Sequence, residues 1–219
     1  MEAGNSTRRG AFILFEGVDR CGKTTQANRL AEYLKTQMDG KAEFIRFPDR
    51  TTPIGTMINS YLTNASDMED HSIHLLFSAN RWEAVPEIKR KLEAGITLVC
   101  DRCSAILFFH KRRLLRWCAG PDRGLPAPDA VLYLDLPAAQ ARERGDFGGE
   151  RYEKEEMQVR VRENFLKLRA MDAGRTPWHV IDASGTIEDI SEEIKQIASS
   201  VIEKACTTPI GKMWEEEQE

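Results

Sequence analysis

Residues 17–24 have the types and spacing of a loop that binds phosphate groups. The stretch reads GVDRCGKT: four residues separate two glycines, and a lysine and a threonine follow the second glycine. Glycines allow several backbone N–H groups to converge on one phosphate, and a helix that begins at the loop adds a partial positive charge. In this pattern Lys23 reaches the β and γ phosphates of a nucleotide, and the Thr24 hydroxyl binds Mg²⁺.

The residues on either side of the loop support this interpretation. The apolar run at 11–15 predicts a buried parallel strand before the loop. A helix directly after the loop is predicted by the one-face spacing of Ala27, Leu30, Ala31 and Leu34. Such a motif requires a strand before it and a helix after it, so a chance glycine-rich turn is the weaker alternative. The loop indicates a nucleoside triphosphate but not its reaction.

The length and composition of the chain are typical of one α/β domain. Its 219 residues, 41% hydrophobic and 30% charged, can build one sizeable core. No apolar stretch approaches the roughly 20 residues that span a membrane, so we expect no membrane partner. The odd count of five cysteines favours reduced thiols and a cytoplasmic location. We expect a flexible tail at 1–10, without the apolar core of a signal peptide, one domain at 11–212 and an acidic tail at 213–219.

The charge distribution predicts a local basic cleft. A formal net charge of −4 argues against nucleic acid as a partner, and it suits polyanionic small molecules only if basic residues gather in one place. Seven basic residues lie at or near the ends of predicted elements: Arg20, Lys23, Arg50, Arg81, Arg102, Arg144 and Arg151.

Strand and helix signals alternate along the chain. After the first strand, buried strands are predicted at 43–47, 96–100, 131–134 and 179–181. This alternation predicts a doubly wound α/β fold, with a parallel sheet of about five strands and helices on both faces. We expect Pro86 to break or kink the long helix predicted between about 69 and 93.

Two polar segments occur where an open parallel sheet binds its ligands. Asp101 and Arg102 directly follow the strand at 96–100, and the carboxyl ends of such strands border the ligand crevice. Residues 144–151 combine three glycines with two arginines, which favours a basic lid that closes over phosphates. A plain surface loop is the alternative for this lid segment.

Two clusters of metal-ligand residue types are better explained without a metal. Cys100 and Cys103 form a C-x-x-C pair, but no second ligand pair or thioredoxin-like setting accompanies them, which disfavours a zinc or redox role. His71 and His74 lie three residues apart on a predicted helix without a third ligand nearby. Packing or solvent-facing histidines are therefore favoured over a metal site.

Four motifs together resemble the thymidylate kinases, which transfer phosphate from ATP to dTMP. The motifs are FEGVDR at 15–20, FPDR at 47–50, HLLFSANRWE at 74–83 and Asp-Arg at 101–102. The resemblance covers nearly the whole chain and is to the eukaryotic-type branch, which has an arginine in the phosphate loop. It implies a P-loop nucleoside monophosphate kinase fold, the use of ATP with Mg²⁺, and a homodimer.

On the ATP side, the resemblance implies that Arg20, Lys23 and Asp101 are catalytic. Arg20 would bridge the donor and acceptor phosphates as charge builds between them. Asp101 would orient the acceptor, or act with Thr24 on Mg²⁺, directly or through water; a structural cap is its alternative role. The ATP-binding residues implied in this way are Gly17, Arg20, Cys21, Gly22, Lys23, Thr24, Thr25, Arg144, Asp182 and Ala183.

On the acceptor side, the resemblance implies that Arg50 and Arg102 bind the dTMP phosphate with paired donors. Asp19 would accept a hydrogen bond from the sugar 3′-OH. Phe77 would stack on thymine and Arg81, one turn later, would donate to the edge of the base; core packing is the alternative for Phe77. The dTMP-binding residues implied in this way are Asp19, Phe47, Arg50, Phe77, Arg81, Arg102, Tyr152 and Gln158.

The segment 103–116 departs from the family pattern. It has no glycine and no acidic residue but four Lys and Arg residues, where the family has a serine–glycine pair lining the dTMP pocket. Three explanations stand side by side: a divergent pocket wall, an altered reading frame or splice choice, and a basic segment with a regulatory or binding role. Two alternative functions follow, a nucleoside monophosphate kinase with another acceptor and a nucleotide-binding protein with impaired kinase activity.

Overall fold

The computed structural model of the chain describes residues 8–103, 114–144, 151–152, 155–172 and 174–215. Four predicted segments therefore lie wholly or mostly outside the described residues. These are the start of the N-terminal tail (1–7), most of the divergent segment (104–113), most of the lid (145–150) and the end of the acidic tail (216–219).

Five parallel strands form one sheet, in the spatial order β2-β3-β1-β4-β5. The strands are β1 (Phe12–Gly17), β2 (Ala42–Arg46), β3 (Thr97–Asp101), β4 (Ala130–Asp135) and β5 (Trp178–Asp182). Every residue of the neighbouring strands β1 and β3 is buried, as expected of central strands covered on both faces. The predicted fold class is confirmed.

Seven α-helices lie in the part of the chain that the structure describes. They are α1 (Lys23–Gln37), α2 (Pro53–Leu62), α3 (Asp70–Glu93), α4 (Leu114–Ala119), α5 (Ala138–Glu143), α6 (Glu155–Asp172) and α7 (Ile187–Ala205). The prediction that Pro86 divides α3 into two segments is wrong, because α3 continues through it. Val85 before Pro86 and Ile88 and Leu92 after it are buried, and their packing offsets the hydrogen bond that proline cannot make.

Two apolar layers cover the two faces of the sheet. Side chains alternate along a strand, so Ile13 and Phe15 of β1 face the layer built by α1, α6 and α7. Phe12 and Leu14 face the opposite layer, to which α3 contributes Ile88 and Leu92. Helices on both faces thus hold the strand ends in fixed positions.

Residues outside the expected domain bounds of 11 and 212 also contact the folded chain. The Arg9 guanidinium forms a two-point ion pair with Asp129 (2.6 and 2.9 Å), and the Gly10 N–H donates to Leu92 O at 2.8 Å. At the other end, the Met213 N–H donates to Leu125 O at 2.8 Å, and Trp214 packs against the main core. No helix among the described residues is long and apolar enough to cross a membrane.

The strand order creates the crevice that the site occupies. β1 lies in the middle of the sheet. The chain first runs from β1 to β2 on one side of the sheet, and later crosses from β3 to β4 on the other side of β1. Ligands of such sheets bind outside the carboxyl ends of the strands at this reversal, here between β1 and β3.

Candidate active site

The phosphate loop connects the end of β1 to the start of α1. Gly17 and Gly22 have φ values of 146° and 99°, which favour glycine, and a Cβ on Gly17 would lie 2.5 Å from Leu134 O. Arg20 also has a positive φ of 62°, a backbone conformation that costs energy for a residue with a side chain. The loop therefore has positive φ at three positions, and glycine occupies two of them.

The Lys23 ammonium is held inside this loop. Its Nζ donates to Gly17 O at 2.9 Å and to Val18 O, and lies 3.6 Å from the Cys21 sulfur. Lys23 is only 3% exposed, so its charge depends on these carbonyls. The ammonium is kept close to the backbone N–H groups that would bind a phosphate chain.

Thr24 and Asp101 meet where α1 begins and β3 ends. The Thr24 hydroxyl donates to Asp101 Oδ2 at 2.5 Å, and Arg46 Nε lies 3.5 Å from the same oxygen. Asp101 is fully buried, and its Oδ1 accepts no hydrogen bond from any described residue. A buried carboxylate oxygen without a partner, next to a hydroxyl, fits the oxygen ligands that Mg²⁺ prefers.

A cavity of about 550 Å³ lies against the loop, a volume in the usual range of ligand pockets. Residues 19–26, Arg102 and Arg144 line it, together with the turn and first residues of α7. Residues 19–24 of the loop and the predicted Thr25 thus line one cavity.

Arg144 joins two of the predicted ATP-binding segments. Its Nη2 donates to Ala183 O at 2.6 Å and its Nη1 to Cys21 O at 3.4 Å. Arg144, Cys21 and Ala183 are therefore brought together, although their positions in the chain differ by up to 162 residues. Asp182 points elsewhere: its carboxylate is exposed and accepts the Ser184 N–H at 2.9 Å, a bond that lowers its pKa.

Asp19 is held by two of the residues predicted to bind dTMP. Arg102 Nη2 donates to its Oδ1, and Gln158 Nε2 donates to its Oδ2 at 2.7 Å. Gln158 also accepts the Asp19 N–H at 2.8 Å, so it fixes backbone and side chain together. Burial raises the pKa of Asp19, but the charges of Arg102 and Lys23 and these hydrogen bonds outweigh it and hold the pKa below its usual range.

The loop that carries Arg50 is fixed by Asn80 of α3. Asn80 Oδ1 accepts the Asp49 N–H at 2.8 Å, and its Nδ2 donates to Asp49 O at 3.1 Å. Gly55 lets α2 approach this loop, since a Cβ there would lie 1.7 Å from Asp49 O. Arg50 itself is exposed and donates to Asn59 Oδ1 at 2.9 Å, whereas Phe47 is buried in the core between the sheet and α3.

Phe77 and Tyr152 lie in one small apolar cluster between α2 and α3. The Tyr152 hydroxyl donates to the Tyr61 hydroxyl at 3.0 Å, and their rings are tilted, with centroids 6.0 Å apart. Phe77 is 8% exposed, so it packs in this cluster while keeping a small open edge. This burial is what we expect if Phe77 packs in the core, which is the alternative to stacking on thymine.

Arg81 is paired with a residue that the sequence analysis did not single out. Its guanidinium donates from Nε and Nη2 to Asp122, with the shortest distances 2.7 Å, and both side chains are almost fully buried. The short turn that contains Asp122, residues 120–122, directly follows α4.

Comparison with known proteins agrees with this arrangement. A family model described as thymidylate kinase matches residues 15–194. The thymidylate kinases of Danio rerio and Homo sapiens are 48% and 47% identical over 213 residues, which is 95% of this chain and 99% of each relative. The solved structure of thymidylate kinase from Candida albicans has a TM-score of 0.81 and 34% identity, covering 94% of this chain and 98% of that one. The chain belongs to the thymidylate kinase family.

Two buried polar residues of this thymidylate kinase family member were missed from the sequence. Asn80 and Asp122 are each 1% exposed and hydrogen-bond to predicted site segments. The sequence contains one signal for Asn80: it is a polar residue on a helix face that also carries apolar residues. Asp122 had none beyond its place in a Gly-Pro-Asp turn, because its partner lies 41 residues earlier in the chain.

The cysteine and histidine pairs form no metal site in the described part of this thymidylate kinase family member. Cys100 and Cys103 are buried thiols, and burial raises the pKa of Cys103 to about 12. His74 is buried with its Nε2 donating to Cys118 O at 3.0 Å, and His71 contacts Glu69. No group of three metal-ligating side chains occurs among the residues described.

Proposed function

We propose that this chain is a thymidylate kinase that transfers the γ-phosphate of ATP to dTMP, giving ADP and dTDP. The observation that carries the proposal is the junction at the carboxyl ends of β1 and β3. There the phosphate loop, the Thr24–Asp101 hydrogen bond and the Asp19–Arg102 ion pair border one crevice. Identity of 47–48% to two thymidylate kinases over 95% of the chain supports the same reaction.

The donor nucleotide binds along the loop. The backbone N–H groups of residues 20–25 and the N-terminus of α1 bind the phosphates, with Lys23 bound to the β and γ groups. Arg144 and Ala183 contact the nucleotide on the β5 side, which their mutual hydrogen bond supports. Arg20 stabilises the charge that develops between donor and acceptor phosphates.

The acceptor binds on the β2–β3 side. Arg102 and Arg50 bind its phosphate, and Asp19, kept ionised by Arg102, accepts a hydrogen bond from the sugar hydroxyl. Phe77 and Arg81 contact the base, with Tyr152, Gln158 and Phe47 shaping the surrounding wall. Because phosphoryl transfer requires little covalent chemistry from the protein, positioning and charge are the main contributions of these residues.

Mg²⁺ fits the Thr24 hydroxyl and the unpartnered oxygen of Asp101. When bound there, it neutralises phosphate charge during transfer. Asp101 keeps its carboxylate in place through Thr24 on α1 and through Arg46 on β2. Burial of Asp101 limits access of bulk water to this ligand.

We further propose a homodimer in a reducing, cytoplasmic compartment. Helix α3 exposes Leu75 and Trp82, which are seven residues apart and so lie on one face, 48% and 40% exposed. The five free thiols suit a reducing environment.

Sedimentation of the purified protein should give twice the mass of one chain, and a concentration-independent monomer would contradict the dimer.

The decisive experiment measures ADP release by the purified protein with ATP, Mg²⁺ and each of dTMP, UMP, CMP and AMP. Rapid turnover with dTMP and slow turnover with the others is expected. Preference for another monophosphate would instead favour the alternative acceptor. ATP binding by calorimetry without turnover would favour the kinase-impaired alternative, and the Lys23→Met variant provides the inactive control.

A further inference from the structure

A buried ion pair joins α3 to the turn at residues 120–122. Arg81 Nε donates to Asp122 Oδ1 at 3.2 Å, and Nη2 donates to both carboxylate oxygens at 2.7 Å. Ser78 Oγ, three residues earlier on α3, donates to the same Oδ1 at 2.7 Å. Because the two side chains are 3% and 1% exposed, neither can exchange its partner for water.

The turn that carries the carboxylate is itself fixed. Ser78 Oγ also lies 3.0 Å from Pro121 O, and the Trp82 indole N–H donates to that carbonyl at 2.7 Å. Three side chains of α3 therefore hydrogen-bond to two consecutive residues of the turn. The position of Asp122 is set by these contacts, and the orientation of Arg81 follows from it.

The pairing leaves one end of the guanidinium available. Asp122 engages Nε and Nη2, while Nη1 donates to no residue in the described part of the chain. Arg81 also lies near the acceptor side of the crevice. Its neighbour on α3, Asn80, hydrogen-bonds to Asp49 in the loop that carries Arg50. A planar guanidinium held on two sides presents its last donors in one fixed direction.

We propose that Asp122 is a positioning residue for base selection: it holds Arg81 so that the remaining donor, Nη1, hydrogen-bonds to the 4-position of the acceptor base. The inference rests on the proposed dTMP kinase function and deepens it. Thymine presents a carbonyl acceptor at this position, whereas cytosine presents an amino donor. A fixed N–H donor binds the carbonyl of thymine and repels the amino group of cytosine. A mobile arginine can move away from the amino group, so it discriminates less.

The test compares dTMP with dCMP, which differ at the 3- and 4-positions of the base and in the 5-methyl group but share the deoxyribose and phosphate. In the Asp122→Asn variant we expect KM for dTMP to rise by about tenfold or more, since a charged hydrogen-bond partner is lost. The fall in kcat should be smaller, KM for ATP should not change, and the preference for dTMP over dCMP should shrink. A variant that keeps the wild-type preference would overturn the proposal.

Two further variants separate positioning from general damage. Asp129→Asn breaks another two-point aspartate–arginine pair, that with Arg9, which lies at the amino ends of β1 and β4. It should lower Tm without changing base preference. Ser78→Ala retains the ion pair and removes one support of Asp122, so it should reduce base preference less than Asp122→Asn does. It also tests the proposal if Asp122→Asn does not fold, because unchanged preference in Ser78→Ala would then count against it.

Failure of this inference differs from failure of the proposed function. If the wild-type chain does not phosphorylate dTMP, the function is wrong. If it does, and calorimetry gives the same ratio of dTMP to dCMP dissociation constants for wild type and Asp122→Asn, only the role of Asp122 is wrong. In an Arg81→Met background, adding Asp122→Asn should change this ratio no further, since both residues act through one contact.

Discussion

The hydroxyl of Thr24 donates a hydrogen bond of 2.5 Å to the carboxylate of Asp101. The two residues lie 77 positions apart, one at the start of α1 and the other at the end of β3. The contact links the loop proposed to bind ATP to the strand that carries Arg102. It therefore places the proposed metal ligands between the sites proposed for the two substrates.

Replacing Asp101 with asparagine should weaken the response to Mg²⁺. The substitution removes the negative charge but retains the shape, and an amide is the poorer ligand for a hard cation. We expect kcat to fall by about 10²–10³, the usual loss when one preorganised electrostatic group is removed. More Mg²⁺ should also be needed for half-maximal activity. Thr24→Ser, which keeps the hydroxyl, is the control, and an unaltered Mg²⁺ titration in Asp101→Asn would show that Asp101 is only a structural cap.

Replacing Arg20 should reduce turnover much more than ATP affinity. The proposed contact forms as charge develops between the phosphates, so it stabilises the transition state and not the ground state. Because Arg20 has a φ of 62°, Arg20→Ala also strains the loop, and Arg20→Asn, which tolerates this conformation, is the matched variant. Both should lose kcat with little change in the ATP dissociation constant. Equal losses of both quantities would mean that Arg20 only binds ground-state phosphate.

Replacing Gly55 with alanine should damage the acceptor side. The added Cβ would lie 1.7 Å from Asp49 O, so α2 or the Arg50 loop must move. Overpacking of this kind destabilises by about 1–3 kcal/mol, and we expect KM for dTMP to rise while KM for ATP stays constant. Gly120→Ala is the control, since nothing lies within 4 Å of its added Cβ. Similar Tm and KM values in the two variants would contradict the expected clash.

The stability of the fold should decrease as pH falls below about 6.5, partly because of His74. Burial lowers the pKa of His74, and this outweighs the opposing effects of the bond to Cys118 O and the nearby Asp122. As pH falls, His74 therefore takes up a proton in the unfolded chain before it does so in the folded chain. The stability that is present above the pKa of His74 in the unfolded chain is lost as pH falls toward its pKa in the folded chain. A single group contributes at most about 1.4 kcal/mol per pH unit.

Urea titrations between pH 7.5 and 5.5 measure this effect. His74→Gln can still donate to Cys118 O but does not titrate in this range, so it should flatten the pH dependence. His179 is the comparison, because burial and then Lys204 also lower its pKa at a more exposed site. His179→Gln should flatten the curve less than His74→Gln. The opposite order would show that His74 is not the main histidine contributor.

The parts of the site that follow from short sequence patterns were predictable. Residues 17–24 run without interruption from the end of β1 into the start of α1, and Asp101 ends a buried strand with Arg102 directly after it, so local spacing sufficed to predict these positions. The parallel sheet followed in the same way from alternating strand and helix signals. Local sequence is informative where neighbours in the chain are also neighbours at the site.

The contacts that the sequence did not reveal depend on distant partners. Asp122 meets Arg81 only because the turn after α4 packs on α3, and Asn80 meets Asp49 across 31 residues. For Pro86, a rule about isolated helices failed because buried neighbours hold α3 together on both sides of it. Tertiary packing decided all three cases, and residue type alone carries little information about it.

The strand order also has an evolutionary consequence. Most of the proposed acceptor residues follow β2 and β3, whereas Arg144 and Ala183 follow β4 and β5, with the loop after β1 between them. Mutations on the first half of the sheet can therefore change which monophosphate is accepted while the ATP contacts on the second half stay intact. A lineage with this fold can acquire a new acceptor without first giving up its phosphate donor.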